Sequence, residues 1–184
     1  MAPLRGHFGV LPLFPIDFGG ICPYDGGRWL EVDQSGANEL KYEFTGMYSH
    51  ALDGKGRLTL PSSFRSQLGG GPAKFSLALD KNCIVIHPKP VWHEWLAKFK
   101  ALPRSDARAE SVKRVILSSS FDCDIDAQGR TVVPPRLREL VGIGREVALV
   151  GNIETVEIWD RGTWTAYFKD GHERLDANTN NLPL

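Results

Sequence analysis

Residues 53–69 read DGKGRLTLPSSFRSQLG, and residues 126–142 read DAQGRTVVPPRLRELVG. The two stretches share Asp, Gly, Arg, Pro, a bulky apolar residue, Arg, a further apolar residue and Gly at matching spacings. Internal similarity of this kind marks a duplicated structural unit. The likeness continues downstream after a one-residue deletion: Phe75 answers to Val147, Ile86 to Ile158 and Trp92 to Trp164.

Each copy reads as the same succession of elements. MYSHAL runs through DGKG into RLTLP, two extended stretches around a Gly-containing connection, the pattern of a hairpin. Asp53 can bond the turn backbone and Gly56 can take positive φ, and Asp126 and Gly129 can do the same in the second copy. Pro61 fits the first turn of a short helix with Phe64 and Leu68 on one face and Gly69 as its stop. In the second copy Pro134 or Pro135 opens the helix, Leu137 and Val141 pack, and Gly142 ends it. A second hairpin, FSLAL then CIVIH, recurs as EVALV then TVEIW, all rich in strand-favouring residues. Helical stretches close both copies, with Trp92, Trp95, Leu96 and Phe99 on one stripe and Trp164, Tyr167 and Phe168 on its counterpart. Between the copies, SDARAESVKRVIL predicts a helix capped by Ser105 with Ala109, Val112, Val115 and Ile116 on one face.

These readings divide the chain into a poorly ordered N-terminal extension over 1–43, a first module over 44–91, a helical connector over 92–118, a second module over 119–163, and a C-terminal helix and tail over 164–184. The extension is rich in Gly and Pro without a sustained period and is expected to be dispensable. A module of about 45 residues buries too little surface to stand alone, so the two copies are expected to share one core. The fold class is α+β, mainly β. Interleaving the hairpins into a barrel with flanking helices would satisfy the strand edges internally.

The chain has 184 residues, 42% hydrophobic and 24% charged, an ordinary globular composition. Lys and Arg balance Asp and Glu at 22 each, so contact with a polyanion must come from local charge. No apolar run reaches the roughly 18 residues of a membrane span, and Pro12 and Pro15 interrupt Val10 to Ile16, which also lacks a cationic leader and a cleavage site. A cytoplasmic protein with no membrane partner is expected. Cys22, Cys83 and Cys123 have no CxxC spacing and read as buried thiols. Cys83, His87 and His93 would have to be matched by Thr155, Trp159 and Thr165, so neither a metal nor another cofactor is expected.

The spacing D-x-x-G-R-x-x-x-P-x-x-[FL]-R resembles that of the AbrB-like transition-state regulators, which have swapped-hairpin barrels. FTGMYSHALDGKGRLTLPSSFR, VIHPKPVW, the second DAQGR and the closing EIWDRGTW together resemble the MraZ family, bacterial DNA-binding regulators of the division and cell-wall gene cluster. The resemblance covers about residues 44 to 170, and members of that family usually begin close to the position of Phe44. It implies a pseudo-twofold double-psi or swapped-hairpin barrel and a ring-shaped homo-oligomer. It further implies a nucleoid-associated repressor that binds direct repeats in double-stranded promoter DNA upstream of its own operon. The contact surface it implies comprises Lys55 and Arg57 in the first copy and Gln128 and Arg130 in the second, supported by Asp53, Gly56, Asp126 and Gly129.

The residues themselves leave alternatives. Lys55 and Arg57 lie at or beside a hairpin tip, where a two-stranded ribbon can enter a major groove and an Arg can bind guanine O6 and N7 together. Equally, Asp53 and Arg57 can simply close the turn, and both roles can coexist. Arg65 and Arg138 hold matched helical positions and read as structural, for instance paired with a turn carboxylate. His50, matched by Cys123, reads as a polar contact near the DNA face. Arg104, Arg108, Lys113 and Arg114 give the connector a solvated basic face. A rival from another class is an enzyme with Asp53 and Asp126 as its acid and base, although no nucleophile, phosphate loop or metal set accompanies them. Another is a ring scaffold that binds proteins through its Trp-bearing faces. Against it, Trp92 and Trp164 read as core anchors.

Overall fold

One order of elements runs twice along the chain: two short strands, a short helix, a hairpin and a closing helix. In the computed structural model, which describes residues 42–69, 74–103 and 105–178, the first run is β1 (Met47–Ala51), β2 (Arg57–Thr59), α1 (Ser62–Gln67), β3 (Lys74–Asp80), β4 (Cys83–Pro88) and α2 (Lys89–Ala101). A connecting helix α3 (Ala107–Ser118) leads to β5 (Phe121–Asp124), β6 (Arg130–Val132), α4 (Pro135–Val141), β7 (Glu146–Asn152), β8 (Thr155–Asp160) and α5 (Arg161–Asn178). The described residues belong to one compact unit. Nearly all of the extension lies outside them. Tyr42 and Glu43, assigned to it from sequence, belong to the fold: Tyr42 is buried and stacks on Phe44 at 5.7 Å, and the Glu43 N–H donates to Gln67 Oε1 at 2.7 Å.

The first hairpin of each copy differs from its expected form. The Asp53 and Asp126 turns form, but their two arms pair with the other copy instead of with each other. β1 lies antiparallel to β7, with Met47 opposite Val150 and Ala51 opposite Glu146, while β2 lies antiparallel to β6. β5 in turn pairs with β3, Phe121 opposite Leu77. The second hairpins, β3 with β4 and β7 with β8, pair locally as read, and β4 and β8 join them into a six-stranded antiparallel sheet of order β1-β7-β8-β4-β3-β5. β2 and β6 form a separate two-stranded ribbon. The fold is thus a mixed α+β arrangement whose strands are antiparallel. Because the copies exchange strands, neither edge of one copy can be satisfied without the other.

Alternation along the central strands fixes which face is buried. Phe75, Leu77, Ile84, Ile86, Val147, Leu149, Val156 and Ile158 all point to one side and are 0% exposed. Leu58 and Leu60 from the β2 region, Phe64 of α1, Val133 just after β6 and Leu137 of α4 close over them. Phe64 meets Phe44 and Tyr48 edge-on at 5.6 and 5.1 Å, so the segment preceding β1 is held by aromatic packing onto α1. On the opposite sheet face Cys83, Val85, Ala148 and Trp159 form a smaller cluster with Trp164 packed against it, while Trp92 is buried beside His87.

Two local expectations for the connector are corrected. The α3 cap is Asp106, one residue after Ser105: its Oδ1 accepts from the N–H groups of Arg108 and Ala109. The apolar stripe also rotates out of the core, leaving Ala109 buried and Val115 54% exposed.

Candidate functional site

Each Asp-x-x-Gly-Arg segment closes a turn through the same set of bonds. The Asp53 N–H donates to the Arg57 carbonyl and the Gly56 N–H to the Asp53 carbonyl, both at 2.9 Å. Asp53 Oδ1 accepts from the N–H groups of Lys55 and Arg57, and Oδ2 accepts from Arg57 Nε at 2.6 Å. In the second turn Asp126 Oδ1 accepts from the N–H groups of Gln128 and Arg130, and Oδ2 takes Arg130 Nε at 2.9 Å and Nη2 at 2.8 Å. The spacing is therefore physical: the carboxylate reaches two and four residues ahead around a turn whose third following residue takes positive φ, as Gly56 (+73°) and Gly129 (+77°) do.

These bonds also set the charge of the carboxylates. Donation from the Arg57 backbone and guanidinium holds Asp53 down to about 2, and Arg130 lowers Asp126 in the same way. Both stay ionised at neutral pH and are saturated by their own turns. A general acid needs a proton to give near the operating pH. Asp53 and Asp126 each hold the half-exposed arginine four residues ahead within its own turn.

Arg65 and Arg138 support the turns from below, each serving the other copy. A Cβ on Gly129 would lie 2.6 Å from Arg65 Cζ, and one on Gly56 would lie 3.3 Å from Arg138 Cζ. Arg138 Nε also donates to the Val133 carbonyl at 3.2 Å. Backbone bonds repeat the reciprocity, Leu60 N–H to the Gly129 carbonyl and Val133 N–H to the Gly56 carbonyl. Arg65 makes no bond equivalent to that of Arg138 through Nε, which is buried without a partner among the described residues. Among the described residues the turn carboxylates pair with Arg57 and Arg130, and no ion pair joins either of them to Arg65 or Arg138.

The turns flank the β2–β6 ribbon. Leu58 and Thr131 face inward and are buried, so the outer face carries Arg57, Thr59, Arg130 and Val132. Across it Arg57 stands opposite Val132, and Thr59 opposite Arg130. Both arginine side chains are 31% exposed. Their freedom differs: Arg130 Nη2 also donates to Gln128 Oε1 at 3.0 Å, whereas only Nε of Arg57 is engaged among the described residues. Lys55, at the equivalent of Gln128, is exposed at the turn tip. Thr59 and Val132 were not singled out from the sequence, although the repeat places them at equivalent positions two residues after each Arg and therefore on the same strand face.

His50 stands in β1 on the same side as the half-buried Tyr48, and burial lowers its pKa, so its imidazole is neutral at pH 7. A cleft of about 430 Å³ opens beside the first turn, lined in part by Asp53, Gly54, Arg138 and Arg145. Among the described residues no group of three His, Cys, Asp or Glu side chains gathers closely enough to hold a metal ion, and no helix is long and apolar enough to cross a membrane.

Two successive segments of the chain match one protein family. Residues 44–115 and again 116–182 match the profile of the family described as "MraZ protein, putative antitoxin-like". The chain is 38% identical over 136 residues to the transcriptional regulator MraZ of Moorella thermoacetica, covering 73% of this chain and 92% of that protein. To the protein of the same name from Syntrophomonas wolfei it is 38% identical over 141 residues, 76% of this chain and 96% of the relative. The Heliobacterium modesticaldum protein of that name is 39% identical over 124 residues, 67% of this chain and 85% of the relative. Two matched repeats, each carrying an Asp-x-x-Gly-Arg turn, and relatives aligned over most of their length identify the chain as a member of the MraZ family.

Proposed function

We propose that the protein is a transcriptional regulator that binds double-stranded DNA in a sequence-specific way through the outer face of the β2–β6 ribbon. The observation carrying this reading is the pair of Asp-oriented arginines, Arg57 and Arg130, at opposite corners of a ribbon narrow enough for a major groove roughly 12 Å wide. Lys55 extends the basic edge at one end, and Gln128 holds Arg130 at the other. With one guanidinium edge unengaged, Arg57 is the stronger base reader, and Arg130 acts more as a positioned phosphate or base contact.

In the same reading the exchanged strands form a pseudo-twofold swapped-hairpin barrel, and several copies assemble into a ring. The relatives' name, and the resemblance drawn from the motifs, support control of transcription. The ring acts in the cytoplasm on the nucleoid, binds direct repeats in the promoter of the division and cell-wall gene cluster that includes its own gene, and represses it. Self-association is supported by α5, where Tyr167, Phe168 and Leu175 are 54%, 59% and 49% exposed on one helix.

Fluorescence anisotropy on duplexes from upstream of the protein's own gene, titrated with salt, tests this reading. Affinity should exceed that for scrambled DNA and fall steeply with salt as phosphate contacts release counterions. Equal affinity for scrambled DNA would remove specific recognition from this protein.

A further inference from the structure

The ribbon's outer face holds two side chains that neither the turns nor the core accounts for. Val132 is 51% exposed in the middle of a strand, and its repeat equivalent Thr59 is also exposed. Each stands directly across the ribbon from a guanidinium: Val132 from Arg57, Thr59 from Arg130. Opposite residues of antiparallel strands lie only about 4.5–5.5 Å apart, so each arginine has a methyl-bearing neighbour on the same exposed surface. One valine and one threonine make too small an apolar surface for a protein interface. Bordered by two arginines and Lys55, the surface is matched to a polyanion that also presents isolated apolar groups. Duplex DNA does so in its major groove, where the only apolar group on a base edge is the C5-methyl of thymine.

We infer that Val132 and Thr59 read thymine methyls, each beside the base or phosphate engaged by the arginine opposite it. The inference rests on the ribbon being the DNA-binding face. The spacing fits: the cross-strand distance is between one and two base-pair rises of about 3.4 Å, so an Arg on one base brings its neighbour over an adjacent step. The repeats differ in a way that sets their selectivity. Thr59 has a hydroxyl that can bond to any base, whereas Val132 offers only methyl groups. Val132 is therefore the stricter reader, and it faces Arg57, the arginine with the freer guanidinium.

The test is a thymine-to-deoxyuridine scan, which removes one methyl at a time and leaves base pairing intact. The full-length protein is titrated onto labelled duplexes covering the DNA upstream of its own start codon. Some positions should lose about fourfold in affinity, as expected for one buried methyl-sized group. Val132→Ala should abolish the sensitivity at one set of positions and Val132→Thr should keep it, with a melting curve recorded for each. Uniform affinity across the wild-type scan overturns the inference while leaving DNA binding intact, and so does unchanged sensitivity in folded Val132→Ala. A Val132→Ala protein that loses self-association but keeps its thymine sensitivity also overturns it, in favour of a protein contact. If no duplex binds above scrambled DNA, the DNA-binding reading fails and this inference with it.

Discussion

Arg65 of the first repeat lays its guanidinium against Gly129 in the turn of the second, leaving 2.6 Å between Arg65 Cζ and the place a Cβ would occupy. Arg138 stands in the same relation to Gly56, less tightly, at 3.3 Å. The helix of each repeat thus props the turn that the other repeat presents.

Gly129→Ala should cost about 2–3 kcal/mol, because it adds left-handed backbone strain to displacement of Arg65, and Gly56→Ala should cost less. Denaturant unfolding of both variants checks the order. Equal losses would mean that backbone strain alone sets the cost and that the Arg65 contact adds nothing.

Gly151 permits a closer approach still. A Cβ there would lie 2.5 Å from the carbonyl carbon of Phe44, and backbone cannot swing aside as a side chain can. Gly151→Ala should detach the Phe44 to Gly46 segment from β7, lowering the melting temperature by several degrees and raising hydrogen exchange at the Phe44 and Ile153 amides, which bond to each other's carbonyls.

Arg57→Ala should cost about 1–3 kcal/mol of DNA binding per contact, multiplied if several copies engage repeats together, with little loss of stability. Arg130→Ala should weaken binding less. Anisotropy beside melting curves is the check, and normal affinity in a folded Arg57→Ala protein would leave that residue only its turn-closing role.

His87 is buried between the rings of Trp92 and Trp95, its Nδ1 has no partner among the described residues, and burial pushes its pKa down to about 4. A base with a depressed folded pKa binds its proton more readily when unfolded. Its neutral form is therefore fully accommodated above about 6.5, and stability falls as pH drops from there towards 4, by an amount of the order of 3 kcal/mol. His87→Leu should flatten the melting temperature across that window. An unchanged slope would place the titrating group elsewhere.

Phe168→Glu places a charge on the exposed apolar face of α5, 59% accessible in the isolated chain. If that face joins copies, light scattering should report smaller assemblies with the fold intact. A wild-type monomer at micromolar concentration would count against assembly altogether.

The sequence by itself determined much of what has its partners close along the chain, although it placed the α3 cap at Ser105 instead of Asp106. Asp53 and Arg57, four residues apart, specify their turn, and Asp126 with Arg130 specifies it again. Pro61 and Pro134 set the helix starts, and the β3–β4 and β7–β8 hairpins follow from period and proximity. The repeat also marked Arg65 and Arg138 as equivalent positions. Tertiary structure alone decided that β1 meets β7, that β2 meets β6, and that each arginine supports the opposite repeat's glycine. The reason is physical: a strand's backbone donors and acceptors are the same for every partner, so alternation fixes which face is buried but not which edge is met. In the structure that choice accompanies one core shared by both copies, in which Phe64 and Leu137 are buried together with residues of the exchanged strands.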